Sequence, residues 1–146
     1  MPGFTLPSVE GKNVSLKDFQ GRPVVISFFA TWCGPCRREL PELEARVWQS
    51  MKDQGVQVLA VSHQEDADTV KRFLKEVPLT FPVLLDEEGK LFEKVAEEGI
   101  PRLVVLDRQH RVHQLELGYY PPYFAKAVSE IRKLADEGTS ERASGP

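Results

Sequence analysis

At 146 residues the chain has the length of one domain, and 41% hydrophobic with 28% charged residues is an ordinary globular composition. A net charge of −3, with both signs interspersed, offers no electrostatic footprint for nucleic acid. No apolar run reaches membrane-spanning length, and no basic segment followed by an apolar one precedes Phe4. That pattern fits a cytosolic protein or one whose signal or anchor has been removed.

Residues 4–9 and 14–16, joined by Glu10-Gly11-Lys12-Asn13, read as a hairpin that caps a sheet. A turn over residues 17–21 leads to the run 24–30, nearly continuous in β-branched and aromatic residues, as a strand buried on both faces should be. Beyond it Cys36, Leu40, Leu43, Val47 and Met51 recur at intervals of four, three, four and four, which is one helical stripe. Both cysteines of the chain stand at this strand–helix junction.

The stripe separates the two thiols. Cys36 lies on it and should face the core, while Cys33 sits before the first turn with its sulfur toward solvent. Unpaired N–H groups and the positive end of the helix dipole favour a thiolate there. Cys33 is therefore the expected nucleophile and Cys36 the residue that resolves. Pro35 suits a first turn, where its missing N–H would have gone unpaired anyway. A zinc site would need two more ligands from His63, His110 and His113, of which the last two are too close for the usual spacing. A purely structural disulfide within one helical turn would constrain little of the unfolded chain. Redox chemistry is the default reading of C-x-x-C in this setting.

Asp53-Gln54-Gly55 ends the helix and residues 56–62 form a second strand. Strand, long helix and strand make a βαβ unit, so the two strands should be parallel, with carboxyl ends opening on one edge. His63, Gln64 and Glu65 emerge there, beside Cys33. Asp66 or Asp68 caps the next helix, whose buried face is Val70, Phe73, Leu74 and Val77. A short strand over 81–86, a turn at 87–89 and a short helix over 90–96 follow.

Gly99-Ile100-Pro101 precedes the strand 103–106; by itself a proline entering a strand marks an edge or boundary. Residues 107–111 form a polar turn, and 112–117 a last strand with Leu115 and Leu117 inward and His110 and His113 solvated. The final helix carries the stripe Phe124, Ala127, Val128, Ile131 and Leu134, with Pro122 near its first turn. The domain is expected to span residues 1–137, and residues 138–146 to be a disordered tail. No internal repeat is present.

Trp32-Cys33-Gly34-Pro35-Cys36 resembles the active-site signature of thioredoxins, with Pro41 where that family kinks its helix. The longer string from Phe29 to Pro41 is similar to the TlpA/ResA branch of thiol–disulfide oxidoreductases, over about residues 4–136. The resemblance implies an α/β thioredoxin-like fold: a mixed central sheet flanked by helices, an N-terminal β-hairpin and a central insertion near residues 66–97. It also implies a cis Ile100–Pro101 bond facing the disulfide, with the backbone of Ile100 pairing with an extended client. Trp32, Gly34 and Pro35 would share in substrate binding, although simple packing is an equal reading of Trp32. Arg102 stands where the family usually has Thr; it either stabilises the Cys33 thiolate or lies in solvent.

Thioredoxins carry a buried Asp that deprotonates the resolving cysteine, and Ser27 occupies that position here. In the TlpA/ResA branch an acidic residue just after the next strand serves instead, and Glu65 matches it in spacing. Glu65 either takes the proton from Cys36 or is a solvated member of the acidic loop 65–68.

The expected function is thiol–disulfide exchange on protein disulfides through Cys33 and Cys36, with Gly-Pro between them leaning toward a reductant. No cofactor, metal or nucleic acid is called for, and the lack of a nucleotide-binding glycine motif means that electrons come from a partner protein. The resemblance suggests apocytochrome c cysteines as clients, a thioredoxin or membrane thiol transporter as donor, a monomer, and a periplasmic or membrane-anchored, extracytoplasmic location. One alternative is a peroxiredoxin-like thiol peroxidase, whose P-x3-[TS]-x2-C pattern fails here at Ala30. Another is a copper-handling chaperone on the same fold using His63 or His113, against which the narrow cysteine spacing counts.

Overall fold

The computed structural model describes the backbone of residues 1–96 and 99–144, and the side chains of these as far as residue 138. Its centre is β3 (Val24–Phe29), all six residues of which are buried, as the apolar run predicts. Successive side chains point to opposite faces, so Phe28 meets Phe92 edge-on at 5.5 Å while Phe29 stacks on Phe73 at 5.4 Å. Burying each such ring stabilises the fold by roughly 1.5–3 kcal/mol.

Around β3 the sheet order is β5-β4-β3-β6-β7, with β4 (Gln57–His63), β5 (Val83–Asp86), β6 (Arg102–Leu106) and β7 (Val112–Leu117). β4 runs parallel to both β3 and β5, as the βαβ argument requires, whereas β6 is antiparallel to β3 and β7 to β6. One face packs on α1 (Gly34–Leu43), α3 (Ala67–Glu76) and α5 (Pro121–Ser144) through Leu40, Phe73, Phe124 and Ile131. The other is covered by the 3₁₀ turn Leu16–Phe19 and by α4 (Lys90–Val95), through Leu16, Leu91 and Phe92. The small hairpin of β1 (Thr5–Pro7) and β2 (Asn13–Ser15) lies against β5, where Val9 N–H donates to the Val83 carbonyl at 3.0 Å. That contact covers part of what would be an open sheet edge. This is the mixed, helix-flanked sheet expected of a thioredoxin-like α/β fold with an N-terminal hairpin and a central α3-β5-α4 segment.

The helix after the cysteines is not uniform. Past Pro41, which has no N–H to give the preceding turn, it widens to a π turn over Glu44–Trp48 before α2 (Gln49–Met51). Val47 and Met51 stay fully buried across that change, so the stripe holds.

Two expectations are corrected. Leu115 and Leu117 are 45% and 54% exposed instead of inward, because β7 is an edge strand beyond the reach of α4. The helical face takes Gln114 and Glu116 from β7. His110 is not a solvated turn residue: its Nε2 is 2.9 Å from the Phe19 carbonyl and 3.1 Å from that of Arg22, tying the β6–β7 turn to the 3₁₀ segment. The backbone of α5 is helical through Ser144, and residues 145 and 146 of the expected tail lie outside the described residues. The Arg108 side chain lies directly over Gly138, and its Nη2 donates to the Leu134 carbonyl at 3.1 Å. Glycine is what that close crossing permits. Among the described residues no helix is long and apolar enough to cross a membrane.

Candidate active site

Phe29 and Ser62 are paired at the ends of the parallel strands β3 and β4, so the chain leaves the sheet twice at one place. From β3 come Thr31, Trp32 and Cys33; from β4 come His63, Gln64 and Glu65. Cys33 is the N-cap of α1, in extended conformation, and its Sγ accepts the Cys36 N–H at 3.2 Å. One of the orphan donors at the helix start is therefore aimed at the outer sulfur. Cys33 and Cys36 form a disulfide with their Cα atoms 5.3 Å apart. Cys36 is wholly buried, as its place on the stripe predicts, but Cys33 shows only 4% of its surface rather than a sulfur open to solvent. The order of access between the two is nevertheless the expected one.

The loop before Cys33 is held from two sides. The Glu65 carboxylate accepts the Thr31 N–H at 2.9 Å, the Thr31 hydroxyl at 2.6 Å and the Ser62 hydroxyl at 3.3 Å. Arg37 donates to the Thr31 carbonyl at 3.2 Å while pairing with Glu76 at 2.8 Å and lying over the Phe73 ring. Glu65 is thus at the edge where the topology puts it, but it is committed to Thr31 rather than to a cysteine.

A different acid lies deeper. Glu39, on α1 one turn after Cys36, is 2% exposed, and its Oε1 accepts the Ser27 hydroxyl at 3.1 Å. Burial pushes its carboxyl up to about 7, with the Ser27 hydrogen bond pulling the other way. Positions three apart on a helix share a face, so Glu39 and Cys36 point to the same interior. Sequence reasoning missed Glu39, though two signals were present. Cys36, Glu39 and Leu40 fall at i, i+3 and i+4 of one stripe, and Ser27 is a lone hydroxyl in an otherwise apolar buried strand.

Trp32 is 74% exposed, which removes packing as the reason for its presence. With His63, Gln64, Phe92 and Ile100 it lines a groove of about 540 Å³, in which the His63 ring sits 4.6 Å from that of Phe92. The neighbours of Cys33 and Pro101 thereby border one groove. The Ile100–Pro101 bond is cis, as expected, and the Pro101 carbonyl accepts the Gly118 N–H at 2.8 Å. Pro35 falls in the first turn of α1 behind Gly34, and Arg102 opens β6 with its guanidinium near Gly99. His113 lies away from the groove, 3.2 Å from Glu130 of α5.

The Redoxin family matches residues 1–134. This chain belongs to the Redoxin family. The redoxin is similar to thiol-disulfide oxidoreductase ResA of Bacillus thuringiensis subsp. konkukian, with 34% identity over 113 residues, 77% of this chain and 65% of that protein. With ResA of Halalkalibacterium halodurans it shares 29% identity over 130 residues, 89% of this chain and 73% of that protein. The redoxin spans only 65% of the length of the first of these relatives. A candidate protein disulfide isomerase from Bacteroides thetaiotaomicron has the same fold at TM-score 0.88 and 32% identity, over 97% of this chain and 91% of that one. A candidate thiol:disulfide interchange protein DsbE from Chlorobium tepidum superposes at TM-score 0.83 with 31% identity, over 92% and 93% of the two chains. These likenesses fix the fold as thioredoxin-like.

Proposed function

We propose that this redoxin is a thiol–disulfide oxidoreductase that reduces or exchanges protein disulfides. The observation that carries the reading is the Cys33–Cys36 disulfide at the N-terminus of α1, with the Cys36 N–H directed at the outer sulfur. In the reduced enzyme the Cys33 thiolate attacks a client disulfide, forming one Cys33–client bond and releasing the first client sulfur as a thiolate. Cys36 then gives its proton to Glu39, and its thiolate attacks the Cys33 sulfur. The Cys33–Cys36 bond forms, the second client thiolate leaves, and two electrons have passed to the client. A donor dithiol reverses the sequence, Glu39 returning the proton to Cys36.

In this reading Glu39 is the general base, since a carboxyl titrating near 7 is matched to operation near neutral pH. Glu65 acts through Thr31, keeping the loop that presents Trp32 and Cys33. Trp32, Gly34, Pro35, Ile100 and Pro101 form the client-binding surface, and residues 1–137 suffice for catalysis. Clients are protein disulfides, with apocytochrome c cysteines among them, and electrons come from a thiol protein or membrane thiol transporter. The enzyme works as a monomer on the extracytoplasmic side.

Insulin-disulfide reduction by dithiothreitol tests the activity. Cys33→Ser abolishes the acceleration, whereas Cys36→Ser accumulates client proteins as mixed disulfides on Cys33. Alkylation of the reduced protein at Cys36 as fast as at Cys33 would overturn the assignment of roles.

A further inference from the structure

Deprotonating a buried cysteine leaves a proton on a buried carboxyl, and that proton must reach water before the next cycle. Ser27, Leu103 and Glu116 are paired directly across β3, β6 and β7, so their side chains stand in one row on the helical face of the sheet. Glu39 descends from α1 onto the first member of that row, accepting from Ser27. Glu116, the last, is two strand spacings away, roughly 10 Å. It is half-buried and accepts the Gln114 side-chain amide at 2.7 Å. Glu39, Leu103, Glu116, Tyr120, Tyr123 and Phe124 line one small cavity, with about 10 Å³ open to water, or room for about a single molecule.

We propose that this cavity is the proton exit of the site, with Glu116 the surface carboxylate that relays protons between Glu39 and solvent. The inference rests on the reading of Glu39 as the base for Cys36. On oxidation of the enzyme, the Cys36 proton passes to Glu39, then through a water in the cavity to Glu116, and from there to bulk solvent. On re-reduction it returns by the same path. No bond other than these proton bonds changes, so the relay alters rates and leaves the disulfide equilibrium alone. Among the described residues, the titratable groups facing Glu39 are Glu116 from β7, Tyr120 and Tyr123 at the start of α5, and Cys36 on its own helix. Tyr120 and Tyr123 are 60% and 61% exposed, so the outer end of the cavity is wet.

The test is single-turnover release of a Cys33-linked mixed disulfide, in Glu116→Gln and Glu39→Gln proteins, at low and high concentrations of a small buffer such as imidazole. Glu116→Gln should slow release by roughly threefold to tenfold at low buffer, and added buffer should restore the rate. Carbon NMR of the Glu39 carboxyl should show its titration midpoint falling when the Glu116 charge is removed. A Glu116→Gln enzyme with unchanged rate and midpoint, while Glu39→Gln is slow, overturns the relay and leaves the base assignment standing. Unchanged release in Glu39→Gln overturns both. A loss in Glu116→Gln that buffer does not restore reports a structural role and also overturns the relay.

Discussion

Two carboxylates flank the cysteine loop, and their surroundings differ in kind. Glu65, on the rim after β4, accepts three hydrogen bonds from Thr31 and Ser62. Glu39, beneath the loop on α1, accepts from the Ser27 hydroxyl alone among the described residues and is almost wholly removed from water. A carboxylate surrounded by donors is a fixed anchor; one buried with a single donor is poised to take up a proton. Closeness to the cysteines in topology would have favoured Glu65, and it is burial that singles out Glu39.

The largest effect expected from breaking this pair is at Glu39. Glu39→Gln should lower the rate at which Cys36 resolves a mixed disulfide by roughly a hundredfold at neutral pH, the scale of a lost general base. Alkylation of Cys33 by a small reagent should stay within a few-fold, and stopped-flow measurement of both steps separates them.

Next in size is a pH effect on stability. The folded carboxyl holds its proton up to about pH 7, whereas the unfolded one loses it near its ordinary value of 4.5. Between those values the folded state binds more protons, so the stability from Glu39 is complete below 4.5 and lost as pH rises through 7. The loss amounts to about 3 kcal/mol. Denaturant midpoints of oxidised wild-type and Glu39→Gln proteins, compared from pH 4 to 9, should diverge by that amount in favour of the variant at high pH. Parallel curves would remove the buried carboxyl from the account.

Glu65→Gln should behave otherwise. The amide keeps one acceptor and brings a donor among donors, so unfolding should be easier by about 1–2 kcal/mol. Exchange should slow modestly, without movement of its pH profile. Smallest of all is Ser27→Ala, which removes the one hydrogen bond to the Glu39 carboxylate among the described residues. The midpoint of the exchange profile should move upward, by under about one pH unit for a bond worth about 1 kcal/mol. A downward movement would mean that the hydroxyl serves the protonated acid instead.

Much of this arrangement is written locally in the chain. The apolar run of β3, the stripe through Cys36 and the βαβ rule together bring Cys33 and Glu65 to one sheet edge, and the motif makes redox chemistry the default reading of the cysteines. What escaped depends on contacts distant in sequence. Alternation divides Leu115 and Leu117 from Gln114 and Glu116, but which set is covered follows from α4 stopping short of the edge strand. The crossing of Arg108 over Gly138 joins residues far apart in the chain and has no local signal. Glu39 looks like a surface charge between Arg38 and Leu40; its place on the Cys36 stripe hints otherwise, and the position of Ser27 across the helix–sheet interface shows the acid to be buried.

The most direct test of Glu39 as the base is the pH dependence, from 5 to 9, of mixed-disulfide release in wild-type, Glu39→Gln and Glu65→Gln enzymes. The wild-type and Glu65→Gln rates should both rise through an inflection near 7, the pH to which burial pushes Glu39, and the Glu39→Gln rate should lack that inflection. An inflection that survives in Glu39→Gln and vanishes in Glu65→Gln would contradict the account and return the proton to the rim.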